Sequence, residues 1–134
     1  PDGAVAVCGS IEAEIAALDP GERAEMLEGY GITDSVVPRL ASAALHLLGR
    51  RVFFTTGDKE SRAWTIAKGT KAPGAAGQIH SDLERGFIRA DVIAYDDYVK
   101  AGGEAQARAA GKMRSEGKEY VVQDGDVMLF KFNV

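Results

Sequence analysis

The sequence has 134 residues, 46% hydrophobic and 27% charged, which suits one domain, or one domain with part of another, and excludes a disordered chain. No apolar run approaches the roughly 20 residues of a membrane span, and one cysteine beside two histidines excludes a disulfide framework and a Cys/His zinc set. The net charge of −4 is uneven: residues 1–50 carry eight acids against three bases, residues 51–134 twelve against thirteen, which argues against a strongly electrostatic nucleic-acid binder without excluding RNA.

Ala4-Val5-Ala6-Val7 is a short β-rich run, and after Cys8-Gly9-Ser10 the residues Ile11, Ile15 and Leu18 recur at helical spacing. Strand, tight loop and helix are expected, with Ser10 as N-cap. Asp19-Pro20 starts a second helix that Gly29 and Gly31 end. Thr33 to Leu48 is a third, its apolar stripe running through Val36, Val37, Leu40, Ala43, Ala44, Leu47 and Leu48. A lone leading strand cannot be stable unpaired. That strand, and Pro1 in place of an initiator methionine, lead to the expectation that this is the C-terminal piece of a longer protein. Self-association through the orphaned N-terminal segment is a further expectation.

From Arg51 the pattern changes. Arg51–Thr56 is a β-branched and aromatic run, Gly57-Asp58-Lys59-Glu60 a turn, and Ala63-Trp64-Thr65-Ile66 a second strand. Pro73 opens one helix with Ala75, Ala76, Ile79 and Leu83 on its apolar stripe, closed by Gly86. Phe87–Ala94 is a strand, Asp96-Asp97-Tyr98 a helical turn, and Ala105–Met113 a poor helix. Tyr120–Val122, the turn Gln123–Asp126 and a last strand to Phe132 follow, with Phe130 and Phe132 both expected to face the core by the period of two. The expected class is α+β: a β-grasp (ubiquitin-like) domain over residues 51–134, one helix covering one sheet face and the other face free to bind, preceded in residues 1–50 by a short strand and a helical segment.

Phe53-Phe54-Thr55-Thr56-Gly57, Arg62-Ala63-Trp64-Thr65-Ile66, Lys71-Ala72-Pro73 with Ala75-Ala76-Gly77 and Ile79-His80, Gly86-Phe87-Ile88-Arg89-Ala90 and Val122–Val127 occur in order and at spacings that resemble the C-terminal region of the YchF/Obg-like ATPases. The resemblance extends through Tyr95-Asp96-Asp97, Ala110-Gly111-Lys112 and Glu116-Gly117-Lys118 to Phe132-Asn133-Val134. It implies that residues 51–134 are a TGS domain, linked in that family to RNA and ribosome contact. It also implies that residues 1–50 are the end of an upstream nucleotide-binding domain, with Cys8, Gly9 and Ser10 near the nucleotide base. Cysteine in the first place departs from the family's serine form. ATP or GTP with Mg would serve the longer protein, in the cytoplasm. No Gly-x-x-x-x-Gly-Lys-Ser/Thr loop occurs in these 134 residues, so no catalytic site and no cofactor are expected in this chain alone.

Arg62, Trp64, Lys68, Lys71, His80, Arg85 and Arg89 are the candidates for RNA or ribosome contact, with Lys112, Arg114 and Lys118 as further cations. Arg62 and Arg89 on an open sheet face would be fixed in place to fork onto phosphate. Trp64 would stack a base if exposed, or fill the core if not. His80 is read as a polar helix position that could still touch RNA. Asp96-Asp97 and Asp124-Gly125-Asp126 read as turn chemistry, having too few oxygens for a calcium loop.

Overall fold

The computed structural model describes residues 4–32, 35–57 and 60–133; the expected helix start at Thr33 and the centre of the Asp58-Lys59 turn lie outside them. The chain divides into two compact units, Pro1–Leu48 and Gly49–Val134.

The first unit holds α1 (Gly9–Ala17), α2 (Pro20–Gly29) and α3 (Val36–Leu47). The expected strand at Ala4–Val7 has no regular structure. No neighbour among the described residues offers its backbone groups a ladder, and an apolar β-rich composition cannot replace one. The cap of α1 is Cys8, not Ser10, which lies within the first turn. Asp19 caps α2 as expected, its N–H donating to Glu22 Oε2 at 3.3 Å. Arg23 reaches back to the carbonyls of Leu18 (2.7 Å) and Ala16 (3.3 Å), satisfying acceptors that the end of α1 leaves open. Glu12 Oε1 accepts from the Val36 N–H at 3.1 Å, which ties the start of α3 to α1. On α3, Val37, Leu40, Leu47 and its cap Leu48 remain exposed.

The second unit opens with β1 (Arg50–Thr56) and β2 (Ser61–Ala67), an antiparallel hairpin pairing Phe53 with Trp64. The expected single helix is two, α4 (Ala72–Ile79) and α5 (Ser81–Arg85). His80 breaks it: its backbone is extended, its N–H closes α4 on Ala76 O (3.2 Å), and its Nδ1 accepts from the Asp82 N–H (3.1 Å) to open α5. Then come β3 (Phe87–Ala94), α6 (Tyr95–Ala101), α7 (Glu104–Ala109), the unforeseen β4 (Arg114–Glu116) and β5 (Asp126–Phe132). Tyr120–Val122 is no strand; Val121 only bridges Lys71 ahead of α4.

The strand order is β2-β1-β5-β3-β4, with β1 and β5 parallel and every other pair antiparallel, the β-grasp arrangement. Ala72, Ala75 and Ala76 of α4 are wholly buried, and side chains this small let the helix close on Phe53, Ile66, Val92 and Met128. A bulge at Ile88 sets Phe87 and Ala90 on that same face, which strict alternation would forbid. Phe130 packs edge-on against Phe53 (6.0 Å) and Phe87 (6.2 Å), whereas Phe132, on the same side, is 45% exposed and so does not enter the core. The other sheet face is not wholly free. Tyr98, Ala101 and Ala107 of α6 and α7 pack on Ile93, Val127 and Phe54 and cover half of it.

Asp126, 3% exposed, is the charged residue held deepest in this unit. Its Oδ2 accepts from the Tyr120 hydroxyl (2.7 Å) and the Gln123 N–H (2.8 Å), and Arg114 stands 3.7 Å from its Oδ1. Burial, and then the bond to a carboxylate, push the Tyr120 phenol well above its ordinary value. A pKa raised by folding gives stability that is full below the unfolded value, about 10, and is lost as pH rises through the folded one. Above about pH 10, the urea midpoint of the native chain should therefore fall more steeply than that of Tyr120→Phe. Parallel slopes for the two proteins would refute this.

Candidate nucleic-acid interface

The period of two decides which cations share a surface. In β2, Arg62, Trp64 and Ile66 point to the α4 side; in β3, Arg89, Asp91 and Ile93 point to the other. Arg62 and Arg89 therefore lie on opposite faces, and the expectation that both occupy the open face is corrected. Trp64 fills the core edge: it stacks on Phe53 (6.5 Å, 17° between planes), donates from Nε1 to Thr55 Oγ1 (2.9 Å) and is half-buried. The Arg62 guanidinium lies 5.2 Å from the indole and 3.7 Å from Glu60, so it occupies the side of the ring a base would stack on.

Most other candidate cations already face carboxylates. Lys71 meets Glu119 (2.5 Å), Arg85 meets Asp82, Lys112 meets Asp97 (3.5 Å), and Arg114 meets Glu116 and Asp126 (both 3.7 Å). His80 sits 3.5 Å from Asp82 and works as a helix cap. Lys68 and Lys118 make no ion pair among the described residues; Lys68 is fixed through its N–H on Gly49 O (2.7 Å).

The arrangement best suited to an anion was only half visible in the sequence. Arg89 on β3 and Lys131 on β5 are direct cross-strand partners on the half of the second face that α6 and α7 leave open. Both are exposed, and the ladder holds two positive side chains at the separation of paired strand positions, about 5 Å between Cβ atoms. Like charges placed so oppose each other; Asp91, 3.8 Å from Arg89 and 7% exposed, offsets that locally. Lys131 is masked in the sequence by Phe130 and Phe132 on either side of it, whose apolar side dominates the run. Alternation itself would have found it, since those phenylalanines put Lys131 on the opposite face.

At the covered end, a shallow cleft of about 420 Å³ is lined by Val52, Phe54, Tyr95, Asp96 and Asp124 among others. Two carboxylates make it unsuited to phosphate. In the first unit Cys8, Gly9 and Ser10 are exposed where α1 begins. The Ser10 hydroxyl, 3.3 Å from Cys8 Sγ, and then the Ile11 N–H lower the thiol below its ordinary value. Among the described residues no three His, Cys, Asp or Glu side chains converge to hold a metal, and no helix is long and apolar enough to cross a membrane.

Comparison with known proteins places this geometry. The YchF-GTPase_C family, described as "Protein of unknown function (DUF933)", matches residues 51–133. The chain is similar to the "Ribosome-binding ATPase YchF" of Bacillus subtilis, 55% identical over 97% of this chain and 36% of that protein, and to "Obg-like ATPase 1" of Rattus norvegicus, 48% identical over 93% and 31%. It thus spans about a third of the length of these curated relatives. Among solved structures, that of the Schizosaccharomyces pombe YchF GTPase superposes with a TM-score of 0.73, at 36% identity over 88% of this chain and 31% of that one. The match across residues 51–133, on a sheet ordered β2-β1-β5-β3-β4, shows that the chain belongs to the YchF-GTPase_C family.

Proposed function

We propose that residues 51–134 act as a non-catalytic TGS module that docks a nucleotide-dependent ATPase onto the ribosome or RNA, in the cytoplasm. The observation that carries this reading is the Arg89–Lys131 pair on the open half of the sheet's second face, where the ladder sets two exposed cations side by side for a phosphate backbone. The relatives named as ribosome-binding ATPases support the partner and the activity of the longer protein. ATP or GTP and Mg would belong to the upstream nucleotide-binding domain. The residues of this chain do not fit them: the sequence offers no phosphate loop to cradle a triphosphate or a hydroxyl to hold the metal.

In the complete protein, Arg89→Glu/Lys131→Glu is expected to weaken ribosome co-sedimentation by at least about tenfold and to flatten its salt dependence, with nucleotide turnover unchanged. Unaltered co-sedimentation at both low and physiological salt would sink the reading. Arg62, Lys68, Lys71, His80 and Arg85, lying away from that pair, then stand as secondary contacts, whereas Trp64, covered by Phe53 and Arg62, has no free ring face to offer a base. A second reading gives Cys8, Gly9 and Ser10 a part in closing the nucleotide site, supported by three small, exposed residues where α1 begins.

A further inference from the structure

Strand β2 is one edge of the sheet, and its pairing fixes which of its backbone groups look outward. The Gly57 N–H donates to Glu60 O (3.0 Å) and the Lys68 N–H to Gly49 O (2.7 Å). Between these bonds the antiparallel ladder alternates, so Glu60, Arg62, Trp64, Ile66 and Lys68 turn their backbones to β1 while Ser61, Ala63, Thr65 and Ala67 turn theirs away. Those four residues are exposed and small, and the register from Ser61 to Ala67 runs without a bulge or a proline. The usual devices that blunt an edge are missing: β2 carries a single charge, Arg62, on the α4 side. Among the described residues only Ala67 O is already engaged, by the Thr70 N–H (3.1 Å) and Oγ1 (2.7 Å).

We propose that this edge pairs with β2 of a second copy of the chain, antiparallel about a two-fold axis at Trp64, joining the two sheets. In that register Ala63 opposes Thr65 of the second copy and Ser61 opposes Ala67, which brings the outward groups together in about six backbone hydrogen bonds. The facing side chains are self-complementary. Glu60 meets Lys68 at both ends of the ladder, Arg62 meets Ile66, and the two Trp64 side chains meet at the centre in the close, non-hydrogen-bonded position. A slide of two residues in one direction would set Arg62 against Lys68, and in the other Glu60 against Ile66, so the charges select this register. A two-fold contact is the symmetry most homodimers use.

The test is the concentration dependence of the mass of the 134-residue chain by sedimentation equilibrium, with circular dichroism to verify folding. The native chain should dimerise. Thr65→Pro removes one outward N–H without touching the β1–β2 ladder and should weaken the dimer by at least about tenfold. Glu60→Lys, which opposes Lys68 to a like charge, should weaken it about tenfold, and Glu60→Lys/Lys68→Glu should return it to within about threefold of the native value. The charge pair carries the test if the proline variant fails to fold. A chain that stays monomeric up to about millimolar concentration, or a dimer indifferent to Glu60→Lys, overturns the proposal.

Discussion

Replacing Phe53 with alanine is expected to lower the stability of the sheet unit by about 3–5 kcal/mol, the range for removing a large aromatic from a sealed core. Phe53 is fully buried, stacked on Trp64 and met edge-on by Phe130, on the strand that pairs with both β2 and β5. A cavity there touches three strands and α4, and the alanines of that helix are too short to collapse into it. Against a typical stability of about 5–15 kcal/mol, a loss of this size removes most of the margin only at the low end of that range, and elsewhere shows as a lowered urea midpoint. Trp64 is the single tryptophan, so its fluorescence in a urea titration reports this unit alone. A shift worth less than about 1 kcal/mol would mean that Phe53 does not anchor the core.

Gly86→Ala should have the next largest effect, for a different reason. A Cβ on Gly86 would lie 2.3 Å from Asn133 O and 2.9 Å from its carbonyl carbon, and backbone atoms cannot swing aside as a side-chain end can. Gly86 has an ordinary negative φ of −87°, so close approach alone is tested. The bond from the Asn133 N–H to Gly86 O (2.8 Å) must break or stretch, at a cost of about 1–3 kcal/mol. Hydrogen exchange at the Asn133 amide should rise sharply. Gly77→Ala is the contrasting control: its Cβ would strike the Glu84 carboxylate at 2.4 Å, but Glu84 is exposed and free to move. Alanine also gains about 1 kcal/mol of helix propensity over glycine inside α4. Equal losses from both substitutions would refute the distinction.

Much of the sheet was legible because its long strands carry β-branched and aromatic residues between turn formers, as in Arg51–Thr56 and Phe87–Ala94. Strand β4 was not legible: Arg114-Ser115-Glu116 has no apolar residue, and only the neighbouring β3 makes it a strand. Ala4–Val7 is the converse case, with strand composition and no ladder. The break at His80 was hidden because Ile79 and Leu83 keep helical spacing across it, and both still pack on the core. The cover by α6 and α7 was missed for want of a strong stripe in an alanine-rich segment, although Ala107 is wholly buried because a small side chain fits there. In the candidate interface, strict alternation from Phe87 would turn Arg89 to the α4 side; the bulge at Ile88, which leaves no mark in composition, turns it to the other.

The parallel pairing of β1 with β5 also sets an order of events in time. Strand β1 ends at Thr56 and β5 begins only at Asp126, so these two neighbouring interior strands are joined by contacts distant in sequence. During synthesis the β1–β2 hairpin can form early, but the side of β1 that awaits β5 stays open until the last strand emerges. That interval, when an aromatic-rich strand holds an unpaired edge, is when the nascent chain is most open to mispairing with its neighbours.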